Sequence, residues 1–440
     1  MARISNDYLF NMPGRELSFR LKSLLSMRYQ GIMPKREIVY IRRIDSSRNY
    51  MVVQAASDCV RFYLDGTRVH PVEKKHVGQL FFDEMMPGYV LYVLPFDSSD
   101  QALSASATDN VPVDFSVKGG TFKGTVAISQ LWGKYAKGWS KYPVRDGSWV
   151  VMDRNDRADD NGEHLYRWMR QHHPEVEAYF ALGKDSPDWR RLKEEGFKLL
   201  EYGSKRHESK LRSCSYIVSS QADAFVTSYF GDNYENSKRI VFLQHGVTKD
   251  DLSGWLNGKP LSLFVTSTRR EYESIIGDYT QYAFTSDQVK LLGFPRHDAL
   301  LEKARTSVAD VLMIMPTWRR SLAGARPKNS AKHFVDPAFI ESEYKRRWEQ
   351  LLSSDAIVKI ACEGTRIVFF PHPNMKHYVD AGLFTVPDHV ELAGSGVSIQ
   401  DYLSRSKALI TDYSSIAFDA AYLGKEVLYY QFDRDEFFSG

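Results

Sequence analysis

The sequence predicts an α/β fold in which two tandem Rossmann-like domains follow a β-rich N-terminal domain. Three observations favour this fold. The chain has 440 residues, which is too long for one average domain. Up to about residue 145, turn signals separate short runs of alternating apolar residues, which is typical of β-rich structure. From Ser148 onward, strand-like runs alternate with helical patterns, which is typical of a parallel, doubly wound sheet.

The β-rich N-terminal domain is predicted to span residues 1–145. A helix is expected over residues 15–27, because four leucines fall on one side at helical spacing. Asp65-Gly66 indicates a turn, and the stretch 97–109, rich in Ser, Ala and Asp, is interpreted as a loop. Strands are predicted over residues 37–41, 50–53, 60–64, 89–94 and 124–128.

The two Rossmann-like domains are predicted over residues 146–285 and 286–440. In the first, strands are expected at 149–152, 176–182, 216–219 and 240–243, with helices at 162–170 and from Asp188. In the second, strands are expected at 311–315, 366–370, 390–392, 408–410 and 427–430, with helices at 339–352, 399–404 and 415–423. Two such domains with a cleft between them form the glycosyltransferase-B architecture, and ligands of such sheets bind at the carboxyl ends of strands. Proteins of this kind normally continue with closing helices, so we expect the natural chain to extend beyond Gly440.

Composition argues against several classes of protein. The net charge is +3, so overall charge does not indicate nucleic-acid binding. The three cysteines have no metal-ligand spacing, which favours a reducing cytoplasm. There is no apolar signal-peptide core and no run of about eighteen apolar residues, so any membrane contact is predicted to be peripheral, at the inner face of the plasma membrane. The acidic residues between positions 156 and 163 match no standard calcium loop, and we predict neither a metal nor a cofactor.

A strand near the end of the sequence turns into a helix through hydroxyl-bearing residues. Thr411, Ser414 and Ser415 carry the hydroxyls, and Asp412 is expected to orient a hydroxyl or a histidine. Free N–H groups at the start of the following helix would suit a phosphate or a pyrophosphate. The same residues are also good helix caps, and the two roles are compatible.

Two histidines follow strand-like runs in similar positions. His245 lies between Gln244 and Gly246, and His372 lies between two prolines that keep its loop extended. Histidine suits acid–base catalysis near neutral pH. The alternative for His245 is a core histidine bonded to the backbone, and for His372 a simple turn residue. With the hydroxyl-rich loop, the two histidines favour a transferase that uses a nucleotide diphosphate.

Charged side chains near these loops supply further candidates. Arg319 and Arg296 are predicted to clamp phosphate in bidentate fashion, with a surface salt bridge as the alternative for each. Asp419 is expected to bond ribose hydroxyls from the last helix, or to lie on the surface.

Five motifs follow one another in the second part of the chain. They are Phe242-Leu243-Gln244-His245-Gly246-Val247, Gly293-Phe294-Pro295-Arg296-His297-Asp298, Met315-Pro316-Thr317-Trp318-Arg319, Pro371-His372-Pro373-Asn374 and Thr411-Asp412-Tyr413-Ser414-Ser415, with Phe418-Asp419 after the last. In this order they resemble the CDP-glycerol glycerophosphotransferase family, whose members build teichoic acids and related capsule polymers of bacteria. The resemblance covers residues 148–440, about two-thirds of the chain. It implies a transferase that passes polyol phosphate from CDP-glycerol, or from the close variant CDP-ribitol, to a hydroxyl group and releases CMP.

The resemblance also implies roles for individual residues. His245 would be the general base, and His372 would contact the donor phosphates or protonate the leaving group. The loop after the first strand of the 146–285 domain resembles the family's acceptor side. The expected donor-binding residues are Thr317, Arg319, Arg296, Thr411, Asp412, Ser414, Ser415 and Asp419, and the expected acceptor-binding residues are Asp153, Asn161, Glu163 and Gln244.

Two other functions stay open at this point. One is a glycosyltransferase of the same fold that transfers a hexose from a UDP donor, and the other is a catalytically silent glycan-binding protein that tolerates His245→Ala. Under the favoured hypothesis, the partners are a CDP-alditol donor and a polyol-phosphate or glycan acceptor. We further expect the acceptor to be lipid-linked and the protein to associate with other capsule or wall-polymer enzymes. Nucleic acid is not expected as a partner.

Overall fold

The computed structural model describes residues 37–81, 84–107, 111–137, 144–231, 237–248, 250–322, 335–393 and 398–439. The helix predicted at residues 15–27 lies outside these ranges. Within them, no helix combines the length and apolar character needed to cross a membrane. The strands form four sheets, two of them in the N-terminal domain and one in each of two following lobes.

The N-terminal domain packs two sheets around one hydrophobic core. Its strands are β1 Glu37–Asp45, β2 Tyr50–Ala55, β3 Arg61–Leu64, β4 Thr67–Val69, β5 Glu73–Phe81, β6 Glu84–Pro95, β7 Ala102–Ser106, β8 Val113–Val117, β9 Gly120–Phe122 and β10 Val126–Ala127, and helix α1 Ile128–Tyr135 follows them. The strand orders are β5-β6-β2-β1-β8-β9 and β10-β7-β3-β4. Val39, Phe62 and Leu103, from both sheets, are buried in the same cluster, so burial of apolar surface holds the two sheets together.

The first lobe is a seven-stranded parallel sheet with a hydrophobic cluster on each face. Its strands are β11 Trp149–Met152, β12 Ala178–Leu182, β13 Leu199–Glu201, β14 Tyr216–Ser219, β15 Arg239–Phe242, β16 Leu261–Thr266 and β17 Val289–Leu291. Its helices are α2 Asn161–His172, α3 Asp188–Glu194, α4 Lys205–Ser213, α5 Ala224–Thr227, α6 Ser253–Leu256 and α7 Arg269–Ile276. Val150 and Val151 belong to different clusters, because successive side chains of a strand point to opposite faces. The order β13-β12-β11-β14-β15-β16-β17 reverses between β11 and β14.

The second lobe repeats this plan with five parallel strands. Helix α8 Pro295–Thr306 precedes it and contacts α2 of the first lobe. The strands are β18 Val311–Met315, β19 Arg366–Phe369, β20 Val390–Leu392, β21 Ser406–Thr411 and β22 Glu426–Tyr429, and the helices are α9 Glu343–Leu352, α10 Asp355–Cys362, α11 Pro373–Asp380, α12 Ile399–Arg405, α13 Ile416–Tyr422 and α14 Arg434–Ser439. The order β20-β19-β18-β21-β22 reverses between β18 and β21. Helix α8 also contacts α12, so it connects the two lobes.

Three expectations from the sequence differ from the structure. The stretch 97–109 is not wholly a loop, because β7 lies within it and buries Leu103 while pairing with β3. The strand predicted at 124–128 is limited to Val126–Ala127, because Ile128 begins α1. The boundary predicted between residues 285 and 286 falls one strand too early, because β17 pairs with β16 and completes the first sheet.

Strand β5 joins the N-terminal domain to the first lobe. The N–H of Gly78 donates to the carbonyl of Thr280 at 2.8 Å, and the N–H of Tyr279 donates to the carbonyl of His76 at 2.7 Å. A Cβ on Gly78 would collide with the Tyr279 carbonyl, so this close approach requires glycine. Beside these contacts, the buried Lys75 Nζ donates to two carbonyl oxygens of the first lobe, and burial lowers the pKa of this lysine to about 7.

Candidate active site

The loops singled out by the sequence lie at the carboxyl ends of the two parallel sheets. Asp153 follows β11 and Ser220 follows β14, the two strands between which the first sheet reverses its order. Thr317 follows β18 and Asp412 follows β21, the corresponding strands of the second sheet. Doubly wound sheets bind their ligands at such reversal points. A hydrogen bond joins the two loops at each point, Ser220 to Asp153 in the first lobe and Thr317 to Asp412 in the second.

Asp153 is a buried residue that holds the start of α2. Its carboxylate accepts hydrogen bonds from three backbone N–H groups and from the Ser220 hydroxyl. Burial and the neighbouring Asp160 charge raise its pKa, against the effect of these hydrogen bonds. The side chain therefore positions the loop between β11 and α2. The three N–H groups are those of Asp160 at 3.2 Å, Gly162 at 2.7 Å and Glu163 at 3.0 Å.

The other residues expected at the acceptor side are also buried and bonded within the protein. Asn161 Nδ2 donates to the Gln244 carbonyl at 2.7 Å, and Gln244 Nε2 donates to the Val265 carbonyl at 2.8 Å. Glu163 accepts from Arg191 at 2.7 and 2.8 Å. Gln244 has φ +59°, a backbone conformation that costs energy for a residue other than glycine. These bonds fix the backbone next to His245, and direct contact of these residues with an acceptor stays a prediction.

His245 is accessible to solvent, yet protein atoms surround much of its imidazole. Its carbonyl accepts a hydrogen bond of 2.6 Å from Arg296 Nη1. Partial desolvation, together with the charges of Arg296 and Arg154, lowers the pKa of the imidazole to about 4. At pH 7 the ring is therefore neutral and can accept a proton.

His372 is the N-cap residue of helix α11 in the second lobe. Its Nδ1 accepts a hydrogen bond of 3.1 Å from the N–H of Asn374, and its ring lies 6.0 Å from the Trp318 ring at an angle of 27°. Burial and the Arg154 charge lower its pKa to about 4, with Asp412 opposing. A neutral imidazole that accepts at Nδ1 carries its proton on Nε2. His372 can therefore donate a hydrogen bond from Nε2.

Arg154, absent from the residues expected at the site, acts on both histidines. It follows Asp153 at the end of β11 and is exposed. Its charge lowers the pKa of His245 from the first lobe and of His372 from the second. Within the described ranges, its side chain makes no hydrogen bond or ion pair. The signal that could have found it is its position, because it is a basic residue two positions after the strand at which the first sheet reverses.

The loops after β18 and β21 are tied together by buried side chains. Asp412 Oδ1 accepts from the N–H groups of Thr317 at 2.8 Å and Tyr413 at 2.7 Å, and the Thr411 hydroxyl donates to the Met315 carbonyl at 2.7 Å. The Thr317 hydroxyl oxygen is buried and has no hydrogen-bond partner in the part of the chain that the structure describes. Buried hydroxyls are normally bonded, so the Thr317 hydroxyl lacks a partner that such a group usually has.

Arg319 is held between two carboxylates of the second lobe. Its Nη2 lies 2.9 Å from Asp412 Oδ2, and its Nε lies 2.7 Å from Asp433 Oδ2. The guanidinium also packs within about 5 Å of the ring centroids of Tyr344 and Tyr413. Its donors are thus used to hold the hydroxyl-rich loop in place. The ion pair considered from the sequence is present, although it is buried and not at the surface.

Ser414 and Ser415 lead into α13, and Ser415 faces the loop of His245. Ser414 Oγ accepts a hydrogen bond of 3.4 Å from the N–H of Ile416. Ser415 is the N-cap residue of α13, but its hydroxyl makes no capping bond. Ser415 Oγ lies only 3.1 Å from the point where a Cβ on Gly246 would be. The absence of a side chain at Gly246 therefore allows the loops of the two lobes to approach each other.

Arg296 and Asp419 form a buried ion pair that joins α8 to the second lobe. The guanidinium contacts both carboxylate oxygens of Asp419, and it also reaches Asp160 at 3.0 Å. His297 Nε2 lies 2.8 Å from Asp419 Oδ1 and stacks on Tyr422. Both residues of the pair are thus engaged by protein groups, and their contact with phosphate or ribose stays a prediction. As for metals, the described ranges contain no group of three or more His, Cys, Asp or Glu arranged to hold an ion.

Comparison with known proteins gives one family and one curated relative. The model of the family described as CDP-Glycerol:Poly(glycerophosphate) glycerophosphotransferase matches residues 143–439. The minor teichoic acid biosynthesis protein GgaB of Bacillus subtilis (strain 168) is 38% identical over 304 residues, which are 66% of this chain and 32% of that protein. The chain therefore spans about a third of the length of this relative.

Solved structures with a similar chain path have low sequence identity. The wall teichoic acid polymerase TagF is 14% identical, with a TM-score of 0.45 over 69% of this chain and 74% of that chain. The UDP-GlcNAc 2-epimerase of Methanocaldococcus jannaschii is 11% identical, with a TM-score of 0.42 over 66% of this chain and 86% of that chain.

Proposed function

The chain belongs to the CDP-glycerol:poly(glycerophosphate) glycerophosphotransferase family, and we propose that it transfers glycerol phosphate from CDP-glycerol to a hydroxyl group of a growing teichoic-acid-like polymer, releasing CMP. CDP-ribitol is the variant donor. Family membership and the similarity to GgaB favour this function over hexose transfer and over a silent glycan-binding protein.

The position of Arg154 is the observation that carries the proposal. Its charge acts on His245 in the first lobe and on His372 in the second, so both imidazoles lie near one exposed cation. A pyrophosphate bound beside Arg154 would be within reach of a proton acceptor from one lobe and a hydrogen-bond donor from the other. Charge-assisted contacts of arginine with phosphate are among the strong hydrogen bonds of proteins.

The reaction needs few protein groups. The acceptor hydroxyl oxygen forms a bond to the β-phosphorus, the bond from that phosphorus to the bridging oxygen breaks, and CMP takes the electron pair. His245 accepts the hydroxyl proton, and its pKa rises when the anionic donor binds, because a nearby negative charge stabilises the imidazolium. His372 donates from Nε2 to the bridging oxygen of the departing CMP. Positioning and charge stabilisation then account for the catalysis, as in phosphoryl transfer generally.

The donor is proposed to lie on the second lobe. The unpartnered Thr317 hydroxyl and the hydroxyls of Ser414 and Ser415 supply hydrogen bonds to its phosphates. Asp412 and Arg319 hold this loop, and Arg154 supplies positive charge from the opposite lobe. Donor and acceptor together carry every atom that is exchanged, so the proposal includes no cofactor.

The setting of the reaction is part of the proposal. The two parallel-sheet lobes are proposed to form a glycosyltransferase-B arrangement, with the acceptor approaching from the first lobe. The protein is proposed to act in the cytoplasm, at the inner face of the plasma membrane, on a polyol-phosphate or glycan acceptor that is lipid-linked. Its polymer is a teichoic acid or a capsule chain, made together with other enzymes of the same polymer.

Release of CMP tests the proposal directly. The purified chain is incubated with CDP-glycerol and a short glycerol-phosphate primer, with CDP-ribitol and UDP-glucose as alternative donors. We expect primer-dependent CMP release that His245→Ala abolishes. His173→Ala, which removes a half-exposed histidine of the same lobe, is the matched control and should leave the rate unchanged. Hexose transfer from UDP-glucose, or the absence of turnover with all three donors, contradicts the proposal.

A further inference from the structure

We propose that a cavity between the N-terminal domain and the first lobe binds an uncharged carbohydrate unit of the acceptor. This inference rests on the proposed function, because it names the chemical class of the acceptor for the same reaction. The cavity has a volume of about 320 Å³. This is at the lower end of the volumes of small-molecule sites and is enough for a sugar unit.

Both domains line the cavity. Met85 of β6 contributes from the N-terminal domain, and its side chain is partly exposed. The first lobe contributes α7 and the segment that follows it, including Tyr279, Thr280 and Gln281. The hydrogen bonds of β5 to that segment hold the two sides of the cavity together. A ligand there would contact a surface that neither domain forms alone.

The lining favours hydroxyl groups over phosphate. Asp250, Asp251 and Glu271 line the cavity, and the lining residues that the structure describes include no lysine or arginine. Ionised carboxylates only accept hydrogen bonds, so they suit the hydroxyl donors of a sugar or polyol and repel an anion. The phosphates of the polymer are therefore expected elsewhere, toward Arg154, and the neutral carbohydrate part is expected in the cavity.

Tyr279 supplies an aromatic face at the cavity. Half of its surface is exposed, and its ring lies parallel to that of His76 at 5.3 Å and 11°. Its φ of +62° is costly for a tyrosine, and the hydrogen bond from its N–H to the His76 carbonyl holds this conformation. An exposed aromatic ring fixed by a neighbouring domain offers apolar contact to the C–H face of a sugar, at little cost in side-chain entropy.

Glu271 connects the cavity to the loop of His245. Its Oε1 accepts from Gln244 Nε2 at 3.2 Å and from the Thr248 N–H at 3.0 Å, so it is bonded on both sides of the histidine. Thr248 itself lines the cavity. A carbohydrate unit bound against Glu271 and Thr248 would lie next to the residues that set the position of the general base. The cavity is thus placed to hold the part of the acceptor that precedes its reacting hydroxyl.

Saccharide binding without any donor tests the site. Methyl glycosides of glucose, N-acetylglucosamine and N-acetylgalactosamine are titrated into the full chain by calorimetry and by saturation-transfer NMR, with glycerol 3-phosphate as the charged probe. Tyr279→Gly removes the ring and suits the positive φ, and Asp251→Asn removes a carboxylate with little change of shape. Tyr429→Ala, at an exposed tyrosine of the second lobe, is the matched control.

We expect at least one neutral glycoside to bind, about tenfold more weakly to Tyr279→Gly than to the wild type, which corresponds to about 1.4 kcal/mol. Asp251→Asn should also bind it more weakly than the wild type, and Tyr429→Ala should bind it normally. CMP binding and Tm should be unchanged in Tyr279→Gly and in Tyr429→Ala. Binding of no neutral glycoside, or equal binding by wild type and Tyr279→Gly, overturns the inference. Because this measurement needs no donor, saccharide binding without CMP release would leave the site standing and contradict only the proposed function.

Discussion

Arg296 Nη2 donates to both carboxylate oxygens of Asp419, at 3.0 and 2.9 Å, within the buried contact between α8 and α13. Nη1 of the same guanidinium donates to the carbonyl oxygen of His245 at 2.6 Å. One side chain thus joins the backbone of the proposed general base to the second lobe. The position of His245 relative to the hydroxyl-rich loop of residues 411–415 therefore depends on this ion pair.

Arg296→Ala should lower the stability of the protein strongly. It leaves the buried Asp419 carboxylate without the guanidinium that contacts both of its oxygens, and removing one member of a buried ion pair typically costs about 3–5 kcal/mol. We expect a clear fall in Tm by calorimetry. Arg190→Ala, which breaks an exposed surface ion pair with Glu194, should change Tm little. Equal Tm values for Arg296→Ala and the wild type would show that the pair does not join the lobes.

The sequence predicts a site residue when the signal lies in neighbouring residues of the chain, and it fails when the residue contacts a distant part of the chain. Thr317 and Asp412 could be recognised as candidates, because each follows an apolar strand within a short motif. The pairing of Arg296 with Asp419 could not be predicted, because 123 residues separate the two and either could equally have contacted a ligand. Arg154 was missed for a related reason. Its nearness to both histidines arises only when the two lobes are placed together.

Arg154→Gln should weaken binding of the donor. Loss of a charged hydrogen bond to phosphate costs about 1.5–3 kcal/mol, so we expect KM for CDP-glycerol to rise roughly tenfold to a hundredfold. Arg157→Gln, at another exposed arginine of the same loop, is the control and should leave KM unchanged. An unchanged KM in Arg154→Gln would remove this residue from the donor site.

The same substitution should be visible in the titration of the histidines without any substrate. Since the Arg154 charge lowers the pKa of both, NMR should find the pKa of His245 and of His372 higher in Arg154→Gln than in the wild type. Arg296, Asp419 and Asp223 also face His245, and Asp412 faces His372, and these groups are unchanged by the substitution. If the substitution changed the pKa of only one histidine, the Arg154 charge would act on that histidine alone.

Gly246→Ala should move the loop of His245 away from the loop of Ser415, which it approaches closely. The added Cβ would lie 3.1 Å from Ser415 Oγ, so the serine side chain must move away by a few tenths of an ångström. We expect a severalfold fall in the rate of CMP release, with a stability loss below about 1 kcal/mol. Gly254→Ala is the matched control, because a Cβ there meets no atom within 4 Å and alanine suits the helix better than glycine. Normal turnover by Gly246→Ala would show that this close approach is not needed.

The strand that joins the N-terminal domain to the first lobe illustrates a limit of sequence patterns. The sequence does not predict β5, because Glu73, Lys74 and Lys75 open it and charged residues rarely enter a buried strand. The buried Lys75 side chain donates hydrogen bonds to the carbonyl groups of Ile275 and Phe284, which lie about 200 residues away in the chain. By contrast, the strands of the parallel sheets carry continuous apolar runs. Such a run predicts a buried strand without any knowledge of distant contacts.

Lys75→Met should remove a pH dependence of stability. Burial lowers the pKa of Lys75 to about 7, although the nearby Glu73 and Asp278 charges oppose this shift. Between pH 7 and about 10.4, the usual value for lysine, the unfolded chain binds a proton at this residue that the folded protein does not. Below pH 7 the buried charge therefore lowers the free energy of unfolding by its full amount. This loss disappears as the pH rises through the interval. Relative to Lys75→Met, the wild type should gain roughly 3 kcal/mol of unfolding free energy between pH 7 and pH 10.

Urea denaturation of wild type and variant at pH 7, 8, 9 and 10 measures this difference, and comparing the two proteins cancels the titration of other groups. Lys345→Met, which removes a lysine from a partly exposed pair with Glu349, controls for the general effect of losing a lysine. A difference between wild type and Lys75→Met that stays constant from pH 7 to pH 10 would mean that Lys75 remains charged in the folded protein. In that case the two carbonyl hydrogen bonds, of 2.5 and 2.9 Å, stabilise the charge more than burial opposes it.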